Sequence, residues 1–181
     1  MHPMTETNLK SAFAGESQAH MRYLVWADKA ERDGFPSVAR LFRAIAFAEQ
    51  VHATNHFMVL RNQVGDAQTV AGAVFGYGPT AQNLAGAIGG EEFEVAEMYP
   101  AYIAVAKMQD EANAVRSFEW ALAAEKTHAA LYSEAKTSVE AGKDPDITVV
   151  NICSRCGHTV VGDAPDVCPV CGAKKEAFKA F

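Results

Sequence analysis

Glutamates and histidines recur at matched spacing on segments whose repeat is otherwise apolar. Four long segments place apolar residues three and four positions apart, which is typical of one buried face of an α-helix. On the first two segments a lone glutamate precedes a Glu-x-x-His pair by 33 residues, and on the last two by 34. Residues i and i+3 share a helix face, so each pair directs a carboxylate and an imidazole to one point. The two sets are Glu16 with Glu49 and His52, and Glu91 with Glu125 and His128.

Carboxylates that converge inside a helix bundle predict bound cations. Glu94 lies one turn after Glu91 and brings the number of such carboxylates to five. An unpaired buried carboxylate costs several kcal/mol even after relaxation, and two divalent or trivalent ions would neutralise most of this charge. One Glu-x-x-His pair alone is more often a solvated helix face, but two matched pairs favour a dinuclear site. Carboxylate oxygens with a minority of imidazoles suit iron or manganese.

The connections predict how the helices are joined. Short turns separate the first segment from the second and the third from the fourth, so each pair should form an antiparallel hairpin. Between the hairpins lie about 15 residues, 65–79, rich in Gly, Ala and Val. One long crossover between two hairpins is the ferritin-like form of the four-helix bundle. Thr80 is the predicted N-cap of the third helix.

All four cysteines lie in the last 29 residues, in two Cys-x-x-Cys pairs separated by 11 residues. They are Cys153, Cys156, Cys168 and Cys171. A segment this short has too small a core to fold alone, so a metal held by four thiolates is expected to stabilise it. Zinc and a single iron both accept four thiolates, and the spacing leaves the choice open. The predicted division is a helical bundle over 1–142, a linker over 143–150 and a cysteine module over 151–181.

Composition excludes several classes of protein. The chain of 181 residues carries a formal net charge of −6, which argues against a nucleic-acid partner. No apolar run approaches the ~20 residues of a membrane span, and the N-terminal residues do not read as a secretory signal. We therefore expect a cytoplasmic protein without a membrane partner.

Together these motifs resemble the rubrerythrin family, and the resemblance covers nearly the whole chain in order. It implies a mainly α protein, in which a ferritin-like di-iron bundle precedes a small rubredoxin-like Fe(Cys)4 domain. It also implies a peroxidase that reduces hydrogen peroxide to water, with electrons delivered through the rubredoxin-like iron. The segments that carry the resemblance are 13–18, 49–52, 90–100, 117–121, 124–129 and the two cysteine pairs.

The resemblance also implies roles for individual residues. Two iron ions would share Glu49 and Glu125 as bridges, and a third iron would sit at the four cysteines, with zinc as a possible substitute. Glu94 and His52 would exchange as ligands between the oxidised and the reduced site. The remaining implied ligands are Glu16 on one iron and Glu91 and His128 on the other, with Tyr23 and Tyr99 bonded to ligating carboxylates.

A second subunit and an external electron donor are expected as partners. The bundle's C-terminus is expected to lie far from its metal centre, so the cysteine module would serve a neighbouring subunit in a head-to-tail homodimer or larger homo-oligomer. An external electron donor is expected, either a rubredoxin, a ferredoxin or an NAD(P)H-dependent reductase. A manganese catalase, a ferritin-like iron-storage protein with structural zinc and a zinc scaffold remain as rival functions. The roles of His20, His56 and His158 stay open, with hydrogen bonding or packing favoured for the first two.

Overall fold

Five α-helices build the first three quarters of the chain in a computed structural model, which describes residues 1–181. Helices α1 and α2 form one hairpin, and α3 and α4 run end to end and pair with α5 in the second. Residues 60–79 cross between the hairpins without regular structure. The predicted ferritin-like bundle is therefore confirmed. The helices are α1 (Pro3–Arg32), α2 (Pro36–Val59), α3 (Thr80–Phe93), α4 (Tyr99–Met108) and α5 (Ala112–Glu140).

The crossover is held along α1 by polar contacts with its backbone. Ser11 Oγ donates to the Val70 carbonyl at 3.0 Å, and Trp26 Nε1 donates to the Gly76 carbonyl at 3.0 Å. Because the loop carbonyls accept from α1 side chains, the segment follows the bundle surface instead of extending into solvent. It thereby covers the outer side of α1.

A π-helical turn, Glu94–Met98, joins α3 to α4. The Tyr99 amide donates to the Glu94 carbonyl, five residues back, so this turn holds one residue more than an α-helical turn. The predicted N-cap at Thr80 is wrong by one position, because Thr80 is already the first helical residue. Its amide and hydroxyl both donate to Asp33 Oδ2 at the end of α1, so that carboxylate takes the capping role from a neighbouring helix.

Two apolar clusters fill the bundle. The larger contains the rings of Tyr23, Phe42 and Tyr132, which contact one another at tilted and edge-to-face angles, and the smaller contains Tyr99 and Phe118. On α1, α2 and α5 the glutamates of both sets lie between the residues of one cluster and those of the other. The acidic residues thus form a polar layer across the middle of an otherwise apolar interior.

A small antiparallel sheet forms the C-terminal module. Its strands are β1 (Val150–Cys153), β2 (Thr159–Val161) and β3 (Phe178–Ala180), in the order β2-β1-β3. A 3₁₀ turn, Lys175–Ala177, leads into β3. The division into bundle, linker and module at 142 and 150 stays a prediction, although no helix or strand is present over 141–149.

The module packs against the bundle of its own chain, although a distant bundle C-terminus would favour contact with another subunit. That the module serves a neighbouring subunit stays a prediction. The connection folds back along α2, where the Asp144 carboxylate accepts from the Ser37 amide and Arg40 donates to the Ile147 carbonyl. These bonds turn the chain toward α2 and α5. Asn55 Nδ2 then donates to the Arg155 carbonyl at 3.0 Å.

Candidate metal centres

The structure brings the two predicted sets of glutamates and histidines into one buried cluster. Their ligand atoms fall into two groups, each with all atoms within 4.8 Å of one another. Glu49 and Glu125 belong to both groups, so these two carboxylates lie between the two positions at which a cation could sit. No member is more than 2% exposed. One group is Glu16, Glu49, His52 and Glu125, and the other is Glu49, Glu91, Glu125 and His128.

Both histidines present Nδ1 to the carboxylates and Nε2 to the cysteine module. His52 Nδ1 lies 2.8 Å from Glu125 Oε1, and His128 Nδ1 lies 2.6 Å from Glu125 Oε2. His128 Nε2 is 2.7 Å from Thr159 Oγ1 on β2. A side chain at Gly157 would overlap His52 Nε2, so only glycine allows the module this close. The module therefore contacts the far side of both imidazoles.

Two buried tyrosines hydrogen-bond to the cluster, as the resemblance implied. Tyr23 donates to Glu91 Oε1 at 2.6 Å, and Tyr99 donates to Glu16 Oε1. Burial, followed by the charge of the bonded glutamate, raises the pKa of each phenol well above its usual value. Both phenols therefore keep their protons and act as donors to carboxylates.

His56 and Ser117 extend this network. His56 Nε2 lies 3.1 Å from Tyr99 OH, and His56 Nδ1 lies 2.8 Å from Ser117 Oγ. The sequence places His56 one turn after His52, which favours a hydrogen-bonding role, but Ser117 was not predicted to take part. Its only signal is a hydroxyl on the apolar stripe of α5.

Glu94 is the one predicted ligand outside both groups. It is half-buried at the start of the π-helical turn. Burial, and then the charges of Glu16 and Glu125, raise its pKa well above the usual value. Glu94 is therefore neutral. Of the two residues that the resemblance implies as exchanging ligands, His52 belongs to a group of candidate ligands and Glu94 does not.

Burial and the charges of neighbouring side chains determine which carboxylates of the cluster are protonated. Burial and the charges of Glu125 and Glu16 raise the pKa of Glu49 to about 7, and burial with the same kind of repulsion raises that of Glu91. Burial also opposes ionisation of Glu125, but the charges of His52 and of the second histidine outweigh it and lower the pKa to about 2. Without cations the cluster therefore holds protons at neutral pH that a metal would displace.

Cations fit this cluster, because several buried oxygens have no hydrogen-bond partner. A buried carboxylate oxygen without a donor is costly, and a coordinated cation removes the cost. Four such oxygens with two Nδ1 atoms form a donor set that suits iron or manganese. The oxygens are Glu16 Oε2, Glu49 Oε1, Glu91 Oε2 and Glu125 Oε1, the last of which lies close to His52 Nδ1 but without the geometry of a hydrogen bond.

The four cysteines converge in the same way. None forms a disulfide, and the Sγ atoms of all four lie within 4.8 Å of one another. Cys153 Sγ lies 3.6 Å from Cys171 Sγ, and Cys156 Sγ lies 3.6 Å from Cys168 Sγ. A hydrogen bond from a second thiol lowers the pKa of Cys153 to about 5, which favours a thiolate. The arrangement suits one tetrahedral thiolate-bound ion.

The other histidines lie apart from these groups. His20 Nδ1 lies 2.6 Å from the Ala46 carbonyl, outside the cluster on the α1–α2 hairpin. His158 is half-buried within the module, directly before β2, and its Nδ1 has no partner. Neither is in either group of candidate ligands.

The fold and the two clusters define a class of proteins: ferritin-like bundles with a carboxylate and histidine site, joined to a rubredoxin-like domain. The chain belongs to the rubrerythrin family. The family profile for rubrerythrin matches residues 7–136, and that for its rubredoxin-like domain matches 152–179.

Individual relatives agree with this assignment. Rubrerythrin-2 of Clostridium acetobutylicum is 48% identical over 98% of this chain and 97% of its own length. The structure of fully reduced, all-ferrous nigerythrin is 32% identical, covers 98% of this chain and 86% of that one, and superposes with a TM-score of 0.83. Bacterioferritin BfrA of Mycobacterium tuberculosis, at 17% identity and a TM-score of 0.68 over 78% of this chain and 89% of its own, shares the fold.

The family is known for di-iron centres and for roles in oxidative stress, and its members are generally oxidoreductases. Iron is the metal that the family implies for the two clusters. None of the helices has the length and apolar character required to span a bilayer.

Proposed function

We propose that this protein is a peroxidase that reduces hydrogen peroxide to water at a di-iron centre in the bundle. The reaction consumes one peroxide, two electrons and two protons and yields two waters. The observation that carries the proposal is the contact between the carboxylate cluster and the cysteine module through His52 and His128. A storage protein with structural zinc has no need of this contact.

The candidate ligands divide between the two positions in the bundle and the cysteines. Glu49 and Glu125 would bridge, since they belong to both groups. When bound, the two irons would supply the electrons that reduce peroxide, and the iron at the cysteines would return them one at a time. The remaining proposed ligands are Glu16 and His52 at one position, Glu91 and His128 at the other, and Cys153, Cys156, Cys168 and Cys171 in the module.

The chain supplies and orients protons. Glu94 is neutral beside the cluster and carries a proton at the edge of the site, so we assign it as the acid that protonates the leaving oxygen. We also assign Glu94 and His52 as ligands that exchange during turnover, and His52 is the one of the two that belongs to the first group. Tyr23 and Tyr99 fix the orientation of the carboxylates to which they donate.

Electrons must enter from outside the chain, because the reaction consumes two in each turnover. A rubredoxin, a ferredoxin or an NAD(P)H-dependent reductase would reduce the cysteine-bound iron. From there two contacts reach candidate metal ligands of the bundle, through Gly157 against His52 and through Thr159 to His128. Zinc at the cysteines would block this route, since it has no redox chemistry.

Metal analysis and rapid kinetics on protein purified without oxygen test the proposal. We expect iron in both clusters, and oxidation of the reduced protein by peroxide faster than by dioxygen. Glu49→Ala should lose the bundle metals and the peroxide reaction while the cysteine-bound iron keeps its visible spectrum. Glu134→Gln, an exposed change on α5, is the matched control. Zinc at the cysteines, or preference for dioxygen with iron accumulation, would instead favour iron storage.

A further inference from the structure

A line of hydrogen bonds leads from the protein surface to Glu16. Ser117 lines a surface pocket of about 210 Å³ between α2 and α5. Its hydroxyl lies 2.8 Å from His56 Nδ1, and His56 Nε2 lies 3.1 Å from Tyr99 OH. Tyr99 in turn donates to Glu16 Oε1. Four helices, α1, α2, α4 and α5, each contribute one member.

These polar groups lie within the smaller apolar cluster. The His56 ring is fully buried, and the Phe118 ring centroid is 5.3 Å from it. Ser117 is only 5% exposed. A buried imidazole and hydroxyl are costly to desolvate, so aliphatic side chains would pack here at lower cost. Packing alone therefore does not account for the pair.

The directions of the hydrogen bonds follow from the chemistry of the last acceptor. Glu16 Oε1 is bonded to the Tyr99 hydroxyl, which must donate its proton to the carboxylate. The phenol oxygen then accepts from His56 Nε2–H, which leaves Nδ1 as the acceptor for the Ser117 hydroxyl. One neutral tautomer of His56 satisfies every bond, and every donor points toward Glu16.

The internal repeat of the chain supplies a comparison within the molecule. His56 follows His52 by four residues, and the equivalent residue after His128 is Tyr132. Ser117 precedes Glu125 by eight residues, and the equivalent residue before Glu49 is Leu41. The Tyr132 hydroxyl is buried without a partner, and Leu41 is fully buried.

The Tyr23–Glu91 bond on the other side of the cluster therefore has no such line behind it. Only one of two equivalent tyrosine–glutamate pairs is supported in this way.

We propose that Ser117 and His56 are positioning residues. They keep the Tyr99 hydroxyl donating its hydrogen bond to Glu16 Oε1, which leaves Glu16 Oε2 free to bind the metal of the first group. This inference rests on the proposed di-iron site but not on its reaction with peroxide. Glu16 Oε2 is buried and has no hydrogen-bond partner, as a reserved ligand atom requires. The two metal positions consequently differ in how firmly their terminal glutamates are held.

Nitrogen NMR on the full chain loaded with zinc tests the tautomer directly. Zinc is diamagnetic, so the ring nitrogens of His56 can be observed, and the expected state is neutral with the proton on Nε2. A proton on Nδ1 would overturn the proposal, because the hydrogen bonds would then run in the opposite direction.

Competition with a chelator measures the consequence for the metals. Ser117→Ala should weaken one of the two bundle zinc ions about tenfold, within the range for partners that orient ligands, and leave the other unchanged. Ser117→Thr keeps a hydroxyl at this position, so it should retain both the wild-type zinc affinity and the wild-type His56 tautomer. Ser133→Ala removes an exposed hydroxyl from the same helix and should change neither.

Other outcomes contradict the proposal in distinct ways. Equal weakening of both zinc ions, or no difference between Ser117→Ala and Ser133→Ala, would mean that the line has only a packing role. Should Ser117→Ala fail to fold, the wild-type tautomer and the Ser117→Thr variant still decide the question. Zinc binding and NMR do not depend on peroxide, so a protein without peroxidase activity could still confirm the positioning role.

Discussion

The metal-free bundle should lose stability as the pH rises through neutrality. Burial, together with the charges of Glu125 and Glu16, raises the pKa of Glu49 from 4.5 to about 7. In the unfolded chain this carboxyl titrates near its ordinary value. Between these two pH values the folded protein holds a proton that the unfolded chain has lost, so the free energy of unfolding falls as the pH increases.

The magnitude follows from the same shift. At about 1.4 kcal/mol per pH unit, Glu49 alone removes about 3 kcal/mol between pH 4.5 and pH 7. His52 and His128 also have raised pKa values, because the Glu125 charge outweighs their burial, so their contribution is lost above pH 6.5. Glu125, with its pKa lowered to about 2, acts only below pH 4.5. His56 opposes the trend, since burial lowers its pKa.

Urea unfolding of metal-free protein, followed by far-ultraviolet circular dichroism at pH 5 and pH 8, measures this effect. Glu49→Gln resembles the protonated side chain, so its stability should exceed that of the wild type by about 1 kcal/mol at pH 5 and by about 3 kcal/mol at pH 8. Glu134→Gln, on the exposed face of α5, should follow the wild type at both values. Wild-type stability that stays level or rises with pH, or an equally steep fall in Glu49→Gln, would refute the reasoning.

Three further changes test single contacts. Thr159→Val removes the partner of His128 Nε2 and should weaken metal binding in the bundle about tenfold, measured by chelator competition. Tyr23→Phe removes the donor to Glu91 and should lower the metal-free unfolding free energy by about 1–3 kcal/mol in urea titrations. Cys168→Ser should abolish the visible spectrum of the cysteine-bound iron and turnover with a reductase, but leave a single oxidation of the chemically reduced bundle by peroxide.

The helical fold and the cluster could be predicted because both leave a periodic signal. Glutamates at stripe positions, such as Glu49 and Glu125, cannot be buried alone, so their repeat requires a common interior. The length of the crossover then distinguishes the ferritin-like connection from a simple up-and-down bundle. The cysteine pairs carry their own spacing, and their convergence is independent of the bundle.

Contacts between distant segments could not be predicted, because they depend on shape rather than on a repeat. Ser117 contacts His56 only because the packing of α2 against α5 brings these two positions together. Thr159 lies three residues after a cysteine with no pattern that connects it to His128. The turn of the linker along α2 depends on Asp144 and on one arginine, which look like ordinary surface residues in the sequence.

The docking of the module covers the outer side of both cluster imidazoles. Both imidazoles direct Nδ1 toward the carboxylates, so each leaves Nε2 on the side that faces the module. Thr159 covers one of these atoms, and Gly157 lies directly against the other. Loss of this cover would expose the two Nε2 atoms to water, and any water that reached Glu49 would lower its raised pKa, because burial is the main cause of that shift. The electrostatics of the bundle thus depend on the module, although the sequence separates the two parts clearly.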